Sequence, residues 1–198
     1  EGKDARLVPA KEAGWELVFS DDFDRDNLGE NWDPVGGMWK IEDGALRGAG
    51  AISSARGYHA DGGAACQRLE FEVMTDVPLK ADGSPEEASA FLKSGYFFQF
   101  GWKWNGRTRI SKGGKPIVAD NDPETVITIG KPQKVVVEND GGTLRMFVDG
   151  KLVIAAKDSP PELVGGGNNR FGLYFYTPVK VLDLKAYVKR FTDVAGWE

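Results

Sequence analysis

Apolar residues recur along this chain in short runs with a period of two, broken every few residues by glycine, asparagine or aspartate. That rhythm belongs to β-strands and turns, since alternate residues of a strand face opposite sides. Runs at Trp15 to Phe19, Trp39 to Ile41, Leu69 to Thr75, Gly95 to Trp104, Val135 to Glu138, Leu144 to Val148, Lys151 to Ile154, Phe171 to Tyr176 and Val181 to Val188 predict an antiparallel sandwich of two sheets. The densest run, Tyr96 to Trp104, puts Tyr96, Phe98, Phe100, Trp102 and Trp104 on one face and Phe97, Gln99, Gly101 and Lys103 on the other. A strand with rings on one side and a mixed Phe-Gln-Gly-Lys set on the other needs two covered faces. The expectation is that the even-numbered members fill the core and the odd-numbered ones line a groove.

Asp43-Gly44, Gly141-Gly142 and Asp149-Gly150 supply residues that accept positive φ, so each predicts a two-residue hairpin. Ser84-Pro85-Glu86-Glu87 gives an N-cap, a first-turn proline and a capping-box glutamate, which predicts one short external helix over Ala88 to Lys93. The segment Asn105 to Thr125, with Gly113-Gly114, Pro116 and Asn121-Asp122-Pro123, reads as a long loop or a loose hairpin.

With 198 residues and 41% hydrophobic composition, the chain suits a single domain with its core at about residues 15 to 191. A net charge of -5 argues against a nucleic-acid partner, which selects for clustered basic excess. Cys66 is the only cysteine, so no internal disulfide forms, and a small buried hydrophobe is its expected role. No apolar run reaches ~18 residues, the length a membrane-spanning helix needs. The chain begins at Glu1 without methionine, as a mature exported protein or a trimmed chain would.

Several of these segments carry a resemblance. Trp15-Glu16-Leu17-Val18-Phe19-Ser20-Asp21-Asp22-Phe23, the W-x-x-E-D-G-x-L turn at Trp39 to Leu46, Leu69-Glu70-Phe71-Glu72-Val73, Ser94-Gly95-Tyr96, Met146 to Lys151 and Phe171-Gly172-Leu173 followed by Val181 to Arg190 occur in order over most of residues 15 to 191. Together they resemble the concanavalin A-like lectin/glucanase superfamily, and within it the 3-keto-disaccharide hydrolase domain family. The resemblance implies a jelly-roll of two curved sheets, a glycan (oligo- or polysaccharide) held on the concave sheet, and a secreted or periplasmic bacterial protein. Lys131-Pro132-Gln133-Lys134 stands where that family usually carries an E-W-N-like stretch.

Glycoside hydrolysis usually takes two carboxyl groups, one protonating the leaving oxygen and one attacking or activating water. Glu70 and Glu72 are the best pair, because they share a strand face with Arg68 and same-face neighbours lie ~7 Å apart. The related laminarinase-type glucanases carry a third carboxylate on such a strand, and Glu70 and Glu72 match the first two places of their motif. Here Met74 or Thr75 occupies the third place, which argues against their retaining mechanism. His59, the sole histidine, is a further candidate in the groove. Sugar recognition needs rings that stack on pyranose faces and planar polar groups for hydroxyls. If Phe171, Leu173 and Phe175 point inward, Tyr174 and Tyr176 point out, as do Gln99 and Lys103, and with Arg68, Glu70 and Glu72 they are expected to form one patch. Asp22 with Asp183 is a candidate calcium site by resemblance to lectin-like sandwiches. Three readings follow: a glycan-binding hydrolase, a carbohydrate-binding module without chemistry, and a structural or interaction module whose aromatic strand is all core.

Overall fold

The computed structural model describes residues 11–12, 14–49, 51–55, 64–75, 88–92, 95–101, 105–161, 171–175 and 178–190. Their secondary structure is almost entirely antiparallel strand. In chain order these are β1 (Lys11–Glu12), β2 (Trp15–Asp21), β3 (Trp32–Pro34), β4 (Met38–Glu42), β5 (Ala45–Ala49), β6 (Ala51–Ala55), β7 (Ala64–Met74) and β8 (Ala88–Leu92). They continue as β9 (Tyr96–Gly101), β10 (Arg107–Lys112), β11 (Lys115–Asp120), β12 (Gln133–Asp140), β13 (Thr143–Val148), β14 (Lys151–Lys157), β15 (Phe171–Phe175) and β16 (Val179–Arg190).

Two sheets form the sandwich. The nine-stranded sheet runs β1-β2-β16-β7-β12-β13-β14, with the β4–β5 hairpin attached to β16 through β5. The seven-stranded sheet runs β11-β10-β9-β8-β15-β6-β3. Their facing surfaces make one core, because strand alternation turns Leu69, Phe71 and Val73 of β7 and Leu184, Ala186 and Val188 of β16 toward Tyr96, Phe98 and Phe100 of β9 and Phe171, Leu173 and Phe175 of β15. Phe19, Phe23, Trp32 and Phe171 pack there with ring centroids 5.4 to 6.4 Å apart, in tilted and edge-on pairs. The parity read from the aromatic strand is the observed one over β9: Tyr96, Phe98 and Phe100 are sealed and Phe97 faces the other way, while Trp102, Lys103 and Trp104 lie outside the described residues.

All three glycine hairpins are present. Asp43 and Gly44 (φ 54° and 68°), Gly141 and Gly142 (58° and 84°), and Asp149 and Gly150 (50° and 79°) turn β4 into β5, β12 into β13 and β13 into β14.

The predicted helix is corrected. Ala88–Leu92 is strand β8, pairing with both β9 and β15 at the centre of the seven-stranded sheet. The Ser84-Pro85-Glu86-Glu87 signal lies outside the described residues. Two ladders outweigh a local helix-start signal, since each satisfies backbone groups that a short external helix would leave to water. The Asn105 to Thr125 segment takes the hairpin alternative, with β10 and β11 joined at Gly113-Gly114.

Candidate functional site

The register of the seven-stranded sheet aligns two rows of residues, of which Tyr174, Gln99, Arg109, Asp33 and Phe97 turn away from the core. One runs Ile52, Tyr174, Ser89, Gln99, Arg109 across β6, β15, β8, β9 and β10. The next runs Asp33, Ser54, Gly172, Phe91, Phe97, Ser111 from β3 to β10. Between the rows the Phe97 and Tyr174 rings meet edge to face, centroids 5.8 Å apart and planes at 73°. Both rings are half-buried. Beside them the Arg109 guanidinium donates through Nε to Gln99 Oε1. Only 3% of Gln99 is exposed, so its carboxamide is fixed under Arg109 and does not swing in solvent. The face therefore offers a half-buried aromatic pair next to a planar cation that the buried Gln99 amide holds in place.

Glu70, Glu72 and Arg68 do share one face of β7, but it is the outer face of the nine-stranded sheet. The expected single patch is corrected by topology: Gln99 and Tyr174 lie on the outside of the opposite sheet, with the whole core between. Glu70 accepts from Arg68 Nη2 (2.5 Å) on one oxygen and from Lys134 Nζ (2.8 Å) on the other. Glu72 sits in register between Lys134 and Asp183. The Arg68 guanidinium lies 5.7 Å over the Tyr187 ring, and Arg145 reaches Glu138 at 2.5 Å. This surface is a lattice of cross-strand ion pairs, and both oxygens of Glu70 are engaged by cations.

Asp183 is held by Lys185 at 2.7 Å, and the Asp22 carboxylate accepts from the Asp24 amide at 3.2 Å. Calcium takes six to eight oxygens. Among the described residues no group of three or more His, Cys, Asp or Glu side chains stands together to hold a metal. His59, Lys103 and Tyr176 lie outside the described residues.

Two residues went unnoticed in the sequence. Arg109 stands inside the segment that reads as a long loop or a loose hairpin, although Arg107, Arg109 and Ser111 alternate with Thr108 and Ile110 as a strand should. Asp21, next to the expected ligand Asp22, is 2% exposed and accepts from Trp32 Nε1 (2.7 Å), from the Phe23 amide (2.9 Å) and from both Arg25 Nη atoms. It ties the loop after β2 to the core.

This architecture, two antiparallel sheets closed over one core, defines a jelly-roll β-sandwich. No family model and no curated protein matches the chain. Solved structures do match in fold. An endo-1,3-β-glucanase from Streptomyces sioyaensis is 12% identical with a TM-score of 0.61, over 92% of this chain and 99% of that one. The carbohydrate-binding module CBM66 from Bacillus subtilis is 18% identical with a TM-score of 0.52, over 83% and 95%. The catalytic domain of an endo-1,3-β-glucanase (laminarinase) from Thermotoga petrophila RKU-1 is 16% identical with a TM-score of 0.55, over 91% and 98%. The fold is thus shared with glucanases and a carbohydrate-binding module.

Proposed function

We propose that this protein binds an oligo- or polysaccharide on the outer face of the seven-stranded sheet, as a carbohydrate-binding domain. The observation that carries the reading is the Phe97–Tyr174 pair set beside the Gln99–Arg109 hydrogen bond on adjoining rows of strands. Rings at that spacing present a platform for a pyranose face, and the guanidinium that Gln99 orients offers planar donors for its hydroxyls. The similarity in fold to glucanases and a carbohydrate-binding module supports the same reading.

Binding without hydrolysis fits the strands better. Of the seven strands in this sheet only β3 and β11 carry a carboxylate, Asp33 and Asp120. Asp33 stands on the outer row, whereas Asp120 pairs with the inward, fully buried Thr108 at the sheet edge. Two-carboxylate chemistry needs a pair across the bond to be broken. Hydrolysis on this face, the second reading and the one the 3-keto-disaccharide hydrolase resemblance implies, would use Asp33 in place of Glu70 or Glu72. The same reading takes the protein to be exported, which cell fractionation tests.

Calorimetric titration across a panel of soluble glycans, with product analysis of each mixture, separates these outcomes. We expect one glycan class to bind unchanged, and Tyr174→Ala or Arg109→Ala to weaken it about tenfold, about 1.4 kcal/mol. Full affinity in both variants would refute the site, and sugar release abolished by Asp33→Asn would establish hydrolysis.

A further inference from the structure

The β4–β5 hairpin and the first residues of β16 form a second site, on the nine-stranded sheet and not on the outer rows of the seven-stranded one. A cavity of about 610 Å³ opens there, within the ~300–1,000 Å³ range of small-molecule sites. Strand alternation puts Met38, Lys40 and Glu42 on one face of β4, and the register brings Arg47 and Lys180 alongside Lys40 in a single row. The charged side chains lining the cavity are three cations, Lys40, Arg47 and Lys180, and one anion, Glu42. That local excess stands out in a chain whose net charge is -5.

The cavity is also partly built. Glu42 draws Lys40 (2.9 Å) and Arg47 Nε (2.8 Å) together, and Asp43 takes Arg47 Nη2 at 3.2 Å, so the guanidinium is oriented before any ligand arrives. The Trp39 indole is fixed by donating to Gly36 O at 2.9 Å and by packing 5.6 Å from Phe175. Met38, 74% exposed, supplies an apolar surface beside the cations. Cations at one side of an apolar wall match a ligand with a charged edge and a hydrophobic face.

We propose that this cavity binds an anionic pyranose, a sugar ring bearing a carboxylate or a sulfate, with the anion at the Lys40–Arg47–Lys180 row and the ring face on Met38. The choice of a sugar rests on the glycan-binding reading above; the positive row does not. The test is titration of the ¹⁵N-labelled full chain, followed by amide NMR, with methyl glucuronide, glucose 6-sulfate and methyl glucoside in turn.

We expect one or both anionic sugars to shift the amides of residues 38 to 48 and 179 to 180, with methyl glucoside leaving them in place. Which anion acts tells a carboxylate ligand from a sulfate. Lys40→Gln combined with Lys180→Gln should weaken that response at least tenfold, and 0.5 M salt should do the same to the parent protein. Tyr174→Ala should leave it unchanged, which keeps failure here distinct from failure of the seven-stranded face. Equal shifts with methyl glucoside, full affinity in the double variant, or no shift at millimolar anionic sugar would overturn the proposal.

Discussion

Replacing Asp21 with alanine removes, in one step, the acceptor of the Trp32 indole and of both Arg25 Nη atoms. Arg25, only 12% exposed at its side chain, would be left with its charge uncompensated. Breaking one partner of a buried ion pair costs about 3–5 kcal/mol. Denaturant unfolding of Asp21→Ala should therefore show an unfolding free energy lowered by that amount, through a lower midpoint at unchanged slope. A loss under about 1 kcal/mol, the usual worth of a surface pair, would contradict the role given to Asp21. Elsewhere, Asp158 accepts from Lys112 Nζ at 2.7 Å and from Tyr96 Oη at 2.6 Å, and these hydrogen bonds hold its carboxyl below the ordinary 3.8. A carboxyl with a depressed folded value adds stability that is complete above its unfolded value and lost as the pH falls through the folded one. The melting temperature of the parent protein should exceed that of Asp158→Asn at pH 7, and the gap should close below about pH 4. A gap that persists unchanged to pH 2 would show that Asp158 acts through packing alone. Cys66 gives the opposite sign: burial first, and then the Asp140 charge, push its thiol up to about 12, in keeping with the inert buried residue the sequence suggested.

Among the elements, the β4–β5 hairpin depends on an absent side chain. A Cβ at Gly48 would meet Trp39 Cζ3 at 2.8 Å and Phe175 Cδ2 at 2.9 Å, closer than carbon atoms approach. Gly48→Ala should therefore destabilise the protein by about 1–3 kcal/mol, the cost of overpacking, measured by thermal or chemical unfolding. Tryptophan fluorescence should report the displaced Trp39 ring. The Asp-Gly turns were legible because their chemistry is local: positive φ at two successive residues is a requirement of the turn itself. Ala88–Leu92 was misread for the converse reason. Ser84-Pro85-Glu86-Glu87 is a valid local helix start, and nothing within a few residues of Ala90 reveals that Phe98 and Leu173 will pair on either side of it. The β10–β11 hairpin stood between the two cases, its turn visible at Gly113-Gly114 and its alternation obscured by Arg107, Thr108 and Arg109.

At the scale of the whole molecule, the sandwich divides the polar candidates between two outer surfaces. Glu70→Gln with Glu72→Gln should lower the melting temperature, because Arg68 and Lys134 lose their charged partner, while leaving glycan affinity within twofold of the parent. Loss of binding in that variant, measured by the same calorimetry, would move the site to the nine-stranded sheet. For β2, β7, β9, β12, β13, β15 and β16 the chain by itself determined that they are strands and which side is buried, and it placed the tight turns, since period-two alternation and positive-φ chemistry act over a few residues; β8 was beyond it. Only the tertiary structure decided which strands share a sheet. Glu70 and Gln99 each face outward from their own strand, as the alternation said, yet a strand's pattern marks inside from outside without naming the sheet it joins. Partner choice is a long-range outcome of ladder pairing and core packing, so it alone set Tyr174 beside Phe97 and put Glu70 across the core from both.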